Sequence, residues 1–137
     1  MTTALSTSTS TTAAIVLLTV VFIAYGGTFV LKVTRGQAPA NELQRSFYRA
    51  GHAHAGVLVI LGLVVNLYVD LAGASGLWRT LSGGVLWAAI LMPAGFFLAV
   101  IGSDPQRPNR LIALLWVGAA SLVLGLVSAA VALLTVA

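Results

Sequence analysis

The chain has 137 residues, 59% of them hydrophobic and 7% charged, with a mean hydropathy of +1.03 and a net charge of +4. Soluble domains carry about 25% charged residues, so this composition excludes an ordinary water-soluble globule, and the absence of cysteine removes disulfides, thiolate catalysis and cysteine-based metal sites. The positive excess does not point to nucleic acid, because the seven Lys and Arg sit in short connections between apolar runs and form no basic stripe.

Residues 1–12, MTTALSTSTSTT, are a Ser/Thr-rich tract without charge. The tract is expected to be a short disordered tail, and it lacks the basic n-region of a secretory signal. A helix needs about 20 mostly apolar residues to cross the hydrocarbon core. Four runs satisfy this, at about 13–31, 50–71, 81–101 and 111–136. None alternates as a membrane strand would, and backbone in lipid must satisfy its own hydrogen bonds. The fold class expected is therefore all-α: one domain over 13–137, a four-helix transmembrane bundle with antiparallel neighbours.

The connections are punctuated accordingly. RGQAPANELQR carries Gly36 and Pro39, then Asn41 as an N-cap for a short amphipathic segment leading into the second helix. GSDPQRPNR holds Pro105 and Pro108, which cannot extend the preceding helix. Within the third run Pro93 removes one backbone donor and predicts a kink, eased by Gly95. Lys32, Arg35, Arg45 and Arg49 lie in or beside the first connection and Arg107 and Arg110 in the third, against Arg79 alone in the second. This asymmetry places the first and third connections in the cytoplasm and both termini outside. Trp78 and Tyr68 suit interfacial anchors at the outer side.

Lipid tails are as apolar as leucine, so helices associate in a bilayer through close approach at small residues. In the fourth run Gly118, Gly125 and Ala132 recur every seven residues, and Ser121, Ser128 and Thr135 do the same. The two series form one seam with the spacing of a left-handed bundle. Ala88, Gly95 and Gly102 repeat the interval in the third run, as do Thr12, Thr19 and Gly26 at the first. ILGLV at 60–64 and VLGLV at 123–127 are a short echo between the halves, of the kind a parallel repeat leaves.

The candidate functional stretch is RSFYRAGHAHAGVLVILGLV at 45–64, which contains both histidines of the chain, His52 and His54. Ionisable groups inside a membrane are costly and mark functional sites by default. Two residues apart on a helix, these rings point roughly 200° from each other, so one metal ion cannot take both from a regular helix. A haem could use one of them only with a second subunit or an unusual partner such as Met92. The plainer expectation is that one ring bonds a backbone carbonyl or a neighbouring helix while the other reaches the interface. Asp70 falls on the face of His52 and Asn66 within about 40° of it, and Arg45 and Arg49 continue that face toward the cytoplasm. Gly56, Val59 and Leu63 interrupt this polar stripe.

The string FYRAGHAHAGVL resembles small four-helix integral membrane proteins of bacteria, and that resemblance implies a multi-pass plasma-membrane protein without specifying an activity. RAGHAH is also similar to the Arg-Ala-His stretch of the membrane-associated eicosanoid and glutathione metabolism family, which implies a trimeric glutathione-transferase-like enzyme. The Asn and Glu that orient the thiol cofactor in that family have no counterpart here, where Ala55, Gly56, Val57, Leu58 and Val59 follow His54. No Ser-His-Asp set, phosphate-binding glycine loop or carboxylate cluster is present, and the sequence points away from an enzyme. The function expected is an oligomeric transport or accessory module, a homo-oligomer or a subunit of a larger membrane complex. No cofactor is expected, and the alternative is a haem- or metal-binding redox module.

Overall fold

The computed structural model of the chain describes residues 4–136. They form five α-helices and one 3-10 turn: α1 (Thr7–Thr34), α2 (Glu42–Leu71), α3 (Gly76–Ser82), α4 (Gly84–Ala99), the turn Arg110–Ile112, and α5 (Ala113–Val136). Helix α3 runs into α4 through Gly83, and the turn runs into α5. Four segments, of 28, 30, 24 and 27 residues, are thus long and apolar enough to span a membrane. No strand is present among the described residues.

The helix ends show why the elements reach beyond their apolar runs. Helix α1 begins at Thr7, not near Ala13, so part of the Ser/Thr tract expected to be disordered is helical. The Ser6 hydroxyl caps it by accepting from the Thr9 amide. The start of α2 lies eight residues ahead of Ala50, at Glu42, where Asn41 and Gln44 satisfy each other's backbone amides as a capping box. Gly36 and Gly73 take positive φ, at 69° and 68°, and end α1 and α2 with paired amide-to-carbonyl bonds of Schellman type. The third span is interrupted at Gly83, while Pro93 lies within α4.

Helices α2, α4 and α5 make the close-packed part, with α4 lying between the other two. Backbones approach each other at glycine. A Cβ added at Gly125 would lie 2.6 Å from the Val85 amide nitrogen, one at Gly84 2.7 Å from the Ser121 carbonyl oxygen, and one at Gly95 2.5 Å from the Leu115 nitrogen. Gly118 is equally tight against Met92, 2.6 Å from Cγ. The Ser121 hydroxyl donates to the Gly84 carbonyl at 2.9 Å across this contact. Ala88 of α4 and Ser128 of α5 are fully buried, and Ala132, further along α5, packs in a separate cluster with Ala129 and Val69 of α2. Gly102 departs from the seven-residue series. It lies beyond α4 in the following loop, exposed, with φ 130°.

Helix α1 packs differently. It rests chiefly on α2, and its outer face leaves Leu18, Phe22 and Tyr25 66–77% exposed. A Cβ added at Gly26 would meet no atom within 4 Å, whereas one at the adjacent Gly27 would touch the His52 ring. The series Thr12, Thr19, Gly26 therefore does not seat α1 against another helix.

Gly125→Ala is expected to lower stability by about 1–3 kcal/mol, because the added methyl has no room. Gly56→Ala, with nothing within 4 Å of the new carbon, is expected to be neutral or stabilising by up to about 1 kcal/mol through helix propensity. Thermal unfolding in detergent separates the two.

Candidate functional site

The two histidines serve opposite sides of α2. The His54 Nδ1 lies 2.8 Å from the Ala50 carbonyl oxygen. A carbonyl only accepts, so Nδ1 carries the proton in that bond. The His54 ring packs on Phe96 of α4 with centroids 4.9 Å apart. His52 turns toward α1, where its Nε2 edge lies against Gly27, 3.1 Å from where a Cβ would stand. His52 makes no hydrogen bond to another described residue. The 200° offset is thus resolved by two different neighbours, and the rings do not converge. Met92 packs against Gly118 of α5 and is buried in the core, apart from both imidazoles.

His52 borders a groove between α1 and α4, floored by α2. One part, of about 420 Å³, is lined by Thr19, Gly26 and Phe29 of α1, His52 and Ala55 of α2, and Phe97 of α4. A second, of about 350 Å³, continues past Thr19, Ile23 and Ala55 to Ile15, Val59, Ala89 and Pro93. Small side chains at Thr19, Gly26 and Ala55 create the space. Pro93 has no N–H, so the Ala89 carbonyl on the same wall loses its helical donor. From Ile15 to Phe29 the groove follows α1 for about 21 Å at 1.5 Å per residue.

Aromatic rings gather at the arginine-rich end of the groove. Tyr48, one turn before His52, has Phe29 of α1 at 5.4 Å, edge to face, and Phe97 of α4 at 5.7 Å, stacked. Tyr48 therefore links the two walls, and a second pair, Phe47 edge to face with Phe96 at 5.7 Å, backs it. Gly51 makes the approach possible, since a Cβ there would lie 2.9 Å from Phe97 and 3.0 Å from Phe96. The sequence does not single out these rings; their one signal is that Phe29, Tyr48 and Phe97 all fall beside the first or third connection, on the arginine-rich side.

The other predicted polar residues lie elsewhere. Asp70 and Asn66 belong to a cluster at the opposite end of α2, about 27 Å from His52 along the helix. Asp70 accepts from the Ser6 amide at 2.9 Å and the Ser6 hydroxyl at 2.7 Å, and pairs with Arg79 at 3.2 Å. Arg79 also donates to the Thr9 hydroxyl at 2.8 Å and to the backbone carbonyl of Asn66 at 3.4 Å, and the Asn66 side chain makes no hydrogen bond among the described residues. A carboxylate placed at the start of α1 complements that helix's dipole. The cluster ties α1, α2 and α3 together. Its members Ser6 and Thr9 are inconspicuous in the sequence because they lie in the Ser/Thr tract. Arg45 and Arg49, both exposed, border a polar hollow on the first turns of α2 with Glu42 and Ser46, separate from the groove.

At the arginine-rich end, the buried Gln44 side chain donates to the Val100 and Gly102 carbonyls at 3.1 and 2.9 Å, and Asn41 donates to Asp104 and the Pro105 carbonyl, each at 2.7 Å. The cap of α2 thereby pins the loop after α4. Among the described residues no group of three His, Cys, Asp or Glu side chains could hold a metal ion.

Replacing Asp70 by Ala is expected to free the start of α1 while leaving the α4–α5 contact intact. Hydrogen exchange of the first-turn amides is expected to rise severalfold, and exchange in α5 to stay unchanged.

Comparison of the chain with protein-family models, curated proteins and solved structures gives no match.

Proposed function

We propose that the protein is an accessory module of a membrane that works by binding within the bilayer, through the lateral groove beside α1. The observation that carries this reading is the groove itself, two adjoining open apolar hollows that together follow α1 for about 21 Å between α1 and α4, with one imidazole, His52, among the lining side chains. Sites of this kind, largely apolar with few polar groups, are what lipophilic ligands occupy.

The polar chemistry supports binding over transport. The hydrogen-bonded polar clusters lie at the two ends of the bundle and are used in tying helices and loops together. Between His52 and Asn66 the same face of α2 carries Ala55, Gly56, Val59 and Leu63. A wet path through one copy would have to cross that apolar stretch, so transport would require a pore between copies. The positive-inside asymmetry supports an orientation with the aromatic end and His52 toward the cytoplasm. A redox reading would use His52 as a single axial ligand, since His54 faces Phe96 on the other side of α2.

Proteoliposomes carrying the full chain separate this reading from transport. Proton and small-cation flux is expected to match that of empty liposomes, with or without His52→Ala and His54→Ala. A flux that depends on either histidine would overturn the accessory reading.

A further inference from the structure

We propose that the groove takes a single-chain lipophile whose headgroup is flat, uncharged and bears a hydrogen-bonding oxygen, the chemistry of an isoprenoid quinone or quinol. The inference rests on the groove being the working surface, and it adds the class of molecule that fits. The head lies at His52 between Phe29 and Phe97, and the tail runs past Thr19 and Ala55 toward Ile15.

Three features of the walls select this chemistry. First, His52 is half-buried, borders the groove and lacks a hydrogen-bond partner among the described residues. An unpaired polar group in apolar surroundings is unfavourable, and a neutral imidazole can donate to a carbonyl or accept from a hydroxyl. The Nε2–Cε1 edge of the ring packs against Gly27 of α1, which places the imidazole where α1 meets the groove. Second, Phe29 and Phe97, each packed against Tyr48, line the same end of the groove as His52 and give a flat head an apolar aromatic setting. Third, no charged side chain lines either part of the groove. A phosphate head would call for Arg or Lys, yet Arg45 and Arg49 border a different hollow that Glu42 shares. The charge pattern therefore matches a neutral head.

The test uses the full chain in nanodiscs of zwitterionic lipid, titrated with a short-chain benzoquinone, an alkane of matching tail length and a single-chain alkyl phosphate. Saturable binding is expected for the quinone, weakened about tenfold by His52→Leu, largely restored by His52→Gln and unchanged by His54→Leu. Thr19→Trp, which fills the groove from an exposed position, is expected to abolish it. Circular dichroism and thermal unfolding identify any variant that fails to fold, and His52→Gln and Thr19→Trp then carry the comparison. Quinone and alkane binding equally, both blocked by Thr19→Trp and both indifferent to position 52, would overturn the headgroup assignment while leaving the groove reading intact. Preferential binding of the alkyl phosphate would overturn the neutral head. Absence of saturable binding by all three probes, or binding untouched by Thr19→Trp, would overturn both the ligand and the groove.

Discussion

The contact on which the rest of the structure depends is the backbone-to-backbone approach of α4 and α5. In a bilayer the tails compete on equal terms with leucine, and close packing at small residues must do what hydrophobicity does in water. Gly84 against Ser121, Val85 against Gly125, and Met92 against Gly118 bring the two helices together where a Cβ would collide with its neighbour. Helix α2 joins this pair through glycines that admit side chains instead, the Leu86 side chain at Gly62 and those of Phe96 and Phe97 at Gly51. The result is a three-helix body with a shared core of Leu58, Val59, Ala88, Ala89 and Met92.

Helix α1 is attached on other terms. Val16 and Ile23 touch that core, Gly27 lies against His52, and the two ends are secured by polar and aromatic contacts. At one end Asp70 and Arg79 hold Ser6 and Thr9; at the other Tyr48 holds Phe29. Between these fastenings the small residues Thr19 and Gly26 meet no opposing helix, and the groove is what remains. Its existence follows from where the glycines are matched and where they are not. The imidazole that faces α1 has no hydrogen-bond partner among the described residues, while the one facing α4 bonds the Ala50 carbonyl of its own helix and packs at a tilt on Phe96.

Much of the architecture is legible in the residues because bilayer thickness converts run length into spans. The four spans, their order and the antiparallel neighbours follow from the apolar runs alone. Helix ends are less legible, since Ser6, Asn41 and Gln44 extend helices through hydrogen bonds that hydropathy does not register. Gly102 shows the reverse error: a matching interval continues past the point where α4 has already stopped. For the candidate site, helical geometry requires that His52 and His54 diverge, but nothing local in the sequence says that Gly27 and Phe96 receive them. Asp70 shares a face with His52 on paper, yet its partners come from residues far away in the chain, Ser6, Thr9 and Arg79, and only the fold brings these together. The aromatic closure by Tyr48 is of the same kind, a meeting of three helices that no single run displays.

The packing of α1 implies that it crosses the bilayer with one face on α2 and the rest open to lipid, the groove side included. A nitroxide scan of α1 by single cysteines, straightforward in a chain without native cysteine, measures this directly through collision with dissolved oxygen and with a water-soluble relaxer. High oxygen access is expected at Leu18, Phe22 and Tyr25, comparable access at Thr19 and Gly26, a dip at Gly27, and no access for the aqueous relaxer across the middle of the helix. Protection at Thr19 and Gly26 as deep as at Gly27, or aqueous access at mid-helix, would contradict it.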